Sequence, residues 1–153
     1  MKIYNLLFLG LIIAFTISCS EKAVEPEETI TIDNFVGSWK ATSFVFTNNS
    51  NSDEAIDLIE IGGELRFTML ENGGVRTWLT VGSFSDEWDS QAVLSNSGTL
   101  ILTPVEAARG VDTFDFVLEN NTLELTNHNE SFDFTLTDVP EVPATSVTMF
   151  ERN

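Results

Sequence analysis

The amino-acid sequence predicts an all-β protein: a single antiparallel, up-and-down β-barrel of about eight or nine strands. Apolar and polar side chains alternate with a period of two through most of the chain, for example at residues 65–69 and 75–81. Turn sequences rich in Asn and Gly separate these segments, which is typical of consecutive hairpins. Closure of such hairpins into a barrel leaves no unpaired strand edge. A two-sheet β-sandwich is the alternative, because strand periodicity is the same in both architectures.

This alternation predicts the strands in chain order. The first begins near Trp39, and residues 52–60, whose alternation is weaker, suit either a short helix or a lid. Around His128 the sequence predicts an exposed turn. The clearly alternating segments predict strands at residues 65–69, 75–81, 99–103, 114–119, 123–125, 132–136 and 147–149.

The beginning of the chain has the pattern of a bacterial lipoprotein signal. Lys2 precedes an apolar run at residues 6–17, whose length is typical of a signal peptide and short for a membrane span. Ser18 before Cys19 is similar to a lipobox, in which the cysteine becomes the lipidated first residue of the mature protein. We therefore expect residues 1–18 to be the signal peptide and Cys19 to carry the lipid anchor. Ordinary secretion with an incidental cysteine is the alternative.

The residues after Cys19 predict how the domain is attached and where. Residues 19–31 are polar and acidic, which indicates a flexible tether, and residues 32–153 suit one barrel domain. Ser20 permits sorting to the outer membrane, and the glutamates of residues 21–28 are similar to surface-export signals of Bacteroidetes lipoproteins. We expect a lipid-anchored protein of the outer membrane, on its periplasmic face or at the cell surface.

The charge of the chain limits its partners. There are 24 Asp and Glu residues against 7 Lys and Arg, which gives a net charge of −17. Such a field repels nucleic acids and anionic lipid surfaces, so we expect no nucleic-acid partner. A well-solvated surface is the simplest explanation of the charge, although a basic or metal-ion partner remains open.

Residue types that carry catalysis or bind metals are sparse. His128 is the only histidine and Cys19 the only cysteine, which argues against a zinc site and precludes an intramolecular disulfide. The sequence contains neither a Gly-x-Ser-x-Gly motif nor a phosphate-binding glycine loop. We expect a non-enzymatic protein without a cofactor or a metal site.

Two acidic segments keep other readings open. Asp86, Glu87 and Asp89 flank Trp88, a composition that a sugar-cleaving site with two carboxylates can use. Residues 48–57 are rich in oxygen ligands but lack the spacing and central glycine of a calcium-binding EF-hand loop. An acidic loop or strand edge is the simpler explanation of the first segment.

The start of the domain carries a family resemblance. The sequence Gly37-Ser38-Trp39 at the opening of the first strand resembles lipocalins (calycins) and, more closely, the lipocalin-like domains of bacterial lipoproteins. A Trp there can close the narrow end of a barrel, and Gly37 permits a close approach of the chain. The resemblance, which extends from Phe35 to Arg152, implies that Arg152 packs over Trp39. We expect Gly37, Trp39 and Arg152 to close the barrel.

The resemblance also implies a function for the interior. Fatty-acid-binding relatives hold a carboxylate with an internal Arg and Tyr, whereas Arg66 and Arg76 are predicted to point outward here and Tyr4 lies in the signal peptide. We expect a small hydrophobic molecule to bind in the barrel mouth near residues 48–62. The alternative is a structural or accessory surface lipoprotein with a packed barrel, which contacts a protein or glycan through Trp78 and Trp88. The predicted lining consists of Phe67, Met69, Leu79, Phe114, Phe116, Phe132 and Phe134.

Overall fold

The computed structural model describes residues 29–136 and 140–153. The predicted signal peptide, Cys19 and residues 20–28 of the predicted tether therefore lie outside the described residues. The described residues form one short 3₁₀ helix (Ile32–Phe35) and nine strands. The strands are β1 (Gly37–Asn48), β2 (Asn51–Asp57), β3 (Glu64–Met69), β4 (Gly74–Val81), β5 (Phe84–Leu94), β6 (Thr99–Pro104), β7 (Asp112–Glu119), β8 (Thr122–Phe132) and β9 (Val142–Arg152).

The strands form a closed antiparallel barrel, which confirms the predicted fold class and excludes the β-sandwich. Strands β3 to β9 pair consecutively, and β1 pairs with β3 on one side and with β9 on the other. The pairing of β1 with β9 extends from Trp39 opposite Arg152 to Asn48 opposite Ala144. Eight strands therefore close the barrel, and β2 is an additional strand beside it.

Strand β1 has two partners along the same edge. Its first residues, 37–40, pair with β3, and its last residues, 45–48, pair with β2. The register with β9 shifts between Ala41 and Ser43, and such a bulge bends a strand. Residues 52–60, for which the sequence suggested a short helix or a lid, thus contribute mainly to β2 and pair with β1.

Two polar segments are strands that the alternation did not reveal. Residues 84–94 form β5, whose inward positions include Asp86, Trp88 and Ser90, so the sequence pattern does not read as apolar-in and polar-out. His128 is exposed as expected, but it lies within β8 and not in a turn. Strand β8 ends at Phe132, so the predicted continuation through Phe134 to residue 136 was wrong.

The barrel has two dissimilar ends. The 3₁₀ helix, Trp39, Arg152 and the turns β3–β4, β5–β6 and β7–β8 lie at one end, which we call the closed end. Residues 58–63, the β4–β5 turn and residues 105–111 lie at the other, which we call the mouth. The main hydrophobic core fills the closed end, and a smaller cluster around Phe46, Leu58 and Ala144 lies near the mouth.

Candidate ligand-binding site

The closed end is sealed by three residues that the sequence singled out. Trp39 is fully buried, and its indole Nε1 donates a hydrogen bond of 2.8 Å to the Phe35 carbonyl oxygen. The Arg152 guanidinium lies 4.5 Å from the centre of the Trp39 ring, and its Nη2 donates to the Asn34 carbonyl oxygen at 2.7 Å. Gly37 has a φ of 133°, which side chains rarely adopt, and lies against the Arg152 side chain. These contacts fix Trp39 and Arg152 across the closed end of the barrel.

A cavity of about 230 Å³ lies inside the barrel between this seal and the mouth. Cavities of about 150 Å³ in other proteins accept a benzene molecule, so this one has room for a ring or a short chain. The wall is mixed: apolar side chains come from all eight barrel strands, and most of the hydroxyl and carboxyl groups come from β7, β8 and β9. The polar groups belong to Thr77, Asp112, Glu130, Ser146 and Thr148.

The predicted lining residues divide into two groups. Phe67, Met69, Leu79 and Phe114 line the cavity. The other three pack elsewhere: Phe116 meets Phe35 edge to face at 5.1 Å in the closed end, and Phe132 stacks on Phe46 at 4.2 Å with Phe134 against it. Phe116 faces inward but lies too deep along β7 to reach the cavity. Phe132 and Phe134 belong to the cluster near the mouth.

Two carboxylates from neighbouring strands face the same cavity. Asp112 begins β7, and Glu130 lies near the end of β8. A bulge in β8 between Asn127 and Glu130 shifts the alternation, so that Glu130 faces inward like Asn127, whose Nδ2 donates to Glu130 Oε1 at 2.9 Å. Bulges of this kind redirect side chains beside functional sites. The polar side of the cavity is therefore built by a local irregularity of the sheet.

Burial changes the acidity of both groups. Burial raises the pKa of Asp112, and the positive charge of Arg109 partly opposes this. Burial also raises the pKa of Glu130, the negative charge of Asp112 adds to the effect, and hydrogen bonds from Asn127 and Ser146 oppose it. Neither carboxylate forms an ion pair with any residue in the described ranges. The cavity therefore presents two acidic groups without a matching cation.

Residues 105–111 place an arginine at the mouth. Arg109 Nη2 donates to Asp86 Oδ2 at 2.6 Å, and its guanidinium lies 4.7 Å from the centre of the Trp88 ring. The hydrogen bond to Asp86 raises the pKa of Arg109, which keeps its positive charge close to this carboxylate. Trp88 itself lines the cavity. Arg109 thus packs over one of the residues that line the cavity.

The position of Trp88 corrects two expectations. Trp88 and Asp86 face inward, whereas Glu87 and Asp89 point outward, where Asp89 pairs with Arg76 at 2.8 Å. The acidic segment that suggested a sugar-cleaving pair is therefore divided between the two faces of β5. Trp88 faces the interior and Trp78 faces the outside, so the two tryptophans suggested as a surface contact do not share a face.

The outer surface of β3 and β4 carries the remaining tryptophan. The guanidinium of Arg66 lies 5.0 Å from the centre of the Trp78 ring. Arg66 and Arg76 are exposed, as the alternation predicted. His128 is also exposed and lies 3.4 Å from Asp115 on the neighbouring strand. None of these four residues lines the cavity.

The oxygen-rich residues 48–57 stabilise the β1–β2 region. Asp57 accepts hydrogen bonds from Ser43 Oγ at 2.8 Å, from the Phe44 amide at 3.0 Å and from the Ile59 amide at 2.8 Å. Burial alone would raise the pKa of Asp57, but these hydrogen bonds outweigh it and lower the pKa. Within residues 29–136 and 140–153, no group of three or more His, Cys, Asp or Glu side chains is arranged to hold a metal ion.

The sequence could have indicated some of the missed residues. Asp112 precedes Phe114 and Phe116 at the same period of two, so its inward position follows from alternation. Glu130 is out of phase with Leu123 and Leu125 because of the bulge, where the sequence around His128 predicted a turn instead. The contact of Arg109 with Trp88 depends on the path of residues 105–111 and has no sequence signal.

A larger groove of about 920 Å³ lies on the outside of the closed end, between residues 29–32 and the β5–β6 turn. It is a surface depression, and among the described residues that line it Glu71 alone is titratable. The internal cavity, which combines enclosure with converging polar groups, is therefore the stronger candidate site.

The sequence matches no protein-family model, and no curated protein is significantly similar to it. Among the described residues, no helix is long and apolar enough to cross a membrane.

Proposed function

We propose that this protein is a lipoprotein anchored in the outer membrane whose barrel binds a small hydrophobic molecule. The observation that carries the binding proposal is the internal cavity of about 230 Å³, walled by Phe67, Leu79, Phe114 and other apolar side chains. Sealing at Trp39 leaves the mouth, covered by Arg109, as the route of entry. The resemblance of Gly37-Ser38-Trp39 to lipocalin-like domains agrees with such a role.

The anchoring proposal depends on the beginning of the sequence. The apolar run at residues 6–17, the lipobox-like Ser18-Cys19 and the acidic tether that follows together favour a lipid-modified Cys19. Replacement of this residue, Cys19→Ala, should move the protein from the membrane fraction to the soluble fraction of cells. Retention of the Cys19→Ala variant in the membrane fraction would contradict the anchor.

A binding role explains the site better than catalysis. Asp112, Glu130 and Trp88 do meet one condition for a carboxylate enzyme, since two acids converge beside an aromatic ring. Most of the wall, however, is apolar, and its phenylalanine, leucine and methionine side chains suit a bound apolar molecule better than a sugar.

Native mass spectrometry of the full-length protein, purified gently from its own membranes, tests the binding proposal. We expect an added mass that is lost on treatment with organic solvent. Substitution of a wall residue, Leu79→Phe, should reduce the added mass because it fills the cavity. Val93→Phe is the matched control, because Val93 is exposed on the outside of β5.

Two results would overturn binding in the barrel. One is equal uptake by the Leu79→Phe and Val93→Phe variants, which would locate the ligand elsewhere. The other is a clean mass for the wild type together with no uptake from a panel of apolar compounds. The second result would favour the alternative of a structural or accessory lipoprotein.

A further inference from the structure

The polar side of the cavity carries negative charge that the described residues do not neutralise. The Asp112 carboxylate accepts no hydrogen bond and forms no ion pair within residues 29–136 and 140–153. The nearest positive charge, Arg109, is held by Asp86 at 2.6 Å and by Glu106 at 3.7 Å. Glu130 receives hydrogen bonds only from neutral groups. Burial of two carboxylates without a cation costs free energy, which a bound cation would recover.

The rest of the cavity wall is apolar and rich in aromatic rings. Phe44, Phe67 and Phe114 line the cavity together with Trp88. Aromatic faces attract organic cations, and the attraction is stronger when the cation is removed from water. The site thus combines an apolar wall, π-electron faces and two carboxylates within one small volume.

From this arrangement we infer that the ligand is an apolar molecule that bears a protonated amine, and that Asp112 and Glu130 bind the amine while the phenylalanine wall holds the apolar body. This inference rests on the proposed function, because it names the chemical class of the molecule in the same cavity. A carboxylate ligand, such as a fatty acid, is disfavoured by repulsion from both acids.

An organic amine fits these residues better than a metal ion does. Hard cations such as calcium need six to eight oxygen ligands, whereas only two carboxylates converge here. An ammonium group has three donors, which two carboxylates and a hydroxyl group can satisfy. Its apolar body would also fill the remaining volume, which a metal ion would leave empty.

The test compares three ligands that share one apolar body. Phenethylamine, phenethyl alcohol and hydrocinnamate differ only in carrying a positive, a neutral or a negative group. Each is titrated by isothermal calorimetry into the full-length protein held in lipid nanodiscs, with empty nanodiscs as the blank. We expect the amine to bind roughly tenfold or more tightly than the alcohol, because charge-assisted hydrogen bonds are the stronger ones, and the carboxylate to bind most weakly.

Two variants locate the preference. The double substitution Asp112→Asn with Glu130→Gln should bring the amine within about twofold of the alcohol, while affinity for the alcohol changes little. Asp115→Asn is the matched control, since Asp115 lies on the same strand but points outward. This control should retain the full preference for the amine.

The outcomes separate the inference from the proposed function. Equal binding of amine and alcohol by the wild type would overturn the amine inference while cavity binding still stands. A preference that survives in the double variant would also overturn it, because the charge would then lie elsewhere. Failure of all three ligands to bind would overturn it as well, and native mass spectrometry would then decide the proposed function independently.

Discussion

The two ends of the barrel use the same pair of residue types in different ways. At the closed end Arg152 lies over Trp39, and at the mouth Arg109 lies over Trp88, at 4.5 and 4.7 Å respectively. Arg152 donates to a backbone carbonyl oxygen, and Trp39 does the same, so neighbouring main chain holds both in place. Arg109 is instead held by the side chains of Asp86 and Glu106.

An arginine packed over a tryptophan can therefore be held rigidly or be free to move, depending on whether its hydrogen bonds go to the backbone or to side chains. A side chain bonded to the backbone moves only if the backbone moves, whereas an ion pair between two side chains can break by rotation about side-chain bonds. The closed end is also the apolar end, where Trp39 is fully buried in the main core. The mouth carries the carboxylates, Trp88 and the cavity. Stability is therefore concentrated at one end and the candidate site at the other.

The largest expected contrast is between the two tryptophans. Trp39→Ala should lower the free energy of unfolding by about 3–5 kcal/mol, as is usual for a buried aromatic residue. Trp88→Ala should cost on the order of 1 kcal/mol, since Trp88 is half-buried beside an existing cavity. Urea unfolding followed by circular dichroism measures both values. Equal losses would mean that the mouth is packed as firmly as the closed end.

A smaller effect is expected where β2 joins the mouth. Asp57→Ala removes an acceptor of three hydrogen bonds, two of them from backbone amides, and should cost about 2 kcal/mol. Asp53, which is exposed on the same strand, supplies the control: Asp53→Ala should change the unfolding free energy by less than about 0.5 kcal/mol. The same urea experiment applies. A similar result for both variants would show that Asp57 does not hold β2 against β1.

Replacing Arg152 or Arg109 should have different effects on the free energy of unfolding and on ligand exchange. Arg152→Ala should cost about 1 kcal/mol through the lost cation–π contact and hydrogen bond. Arg109→Ala should cost less than about 0.5 kcal/mol, because its ion pair is partly exposed and screened by solvent. Ligand exchange, measured by stopped-flow fluorescence, should become faster in Arg109→Ala only. Faster exchange in Arg152→Ala instead would place the entry at the opposite end.

The smallest effect concerns pH. The raised pKa values of Asp112 and Glu130 mean that the folded, empty barrel binds protons more tightly than the unfolded chain. The free energy of unfolding should therefore rise as pH falls from neutral through these raised pKa values. At still lower pH it should decline as Asp57, whose pKa is lowered, becomes protonated and its contribution is lost.

Neutral side chains at both positions test this explanation. The variant Asp112→Asn with Glu130→Gln should be more stable than the wild type at neutral pH, by on the order of 1 kcal/mol or less. Its unfolding free energy should lack the rise on mild acidification. A less stable double variant would mean that these carboxylates make stabilising contacts in the empty barrel. Thermal unfolding of ligand-free protein across a pH series provides the measurement.

Alternation alone determined most of the architecture, because a strand that buries one face must repeat with a period of two. It located β3, β4, β6 and β7 and the turns after β3, before β6 and after β7, and the single Trp at the start of β1 pointed to the sealed end. It failed at β5, where inward positions hold Asp86, Trp88 and Ser90. Polar residues at inward positions remove the contrast on which such a prediction depends.

The sequence by itself thus determined the all-β class and most of the strands, because strand periodicity and turn chemistry are local properties, and the positions of Gly37, Trp39 and Arg152 indicated the seal. The tertiary structure decided in favour of a barrel over a sandwich, because β1 pairs with both β3 and β9. Only the tertiary structure decided that the interior contains a cavity and that Asp112, Glu130 and Trp88 share it. The bulge in β8 and the path of residues 105–111 bring these groups together from distant parts of the sequence. Such convergence depends on strand register and closure, which are set by contacts across the whole barrel.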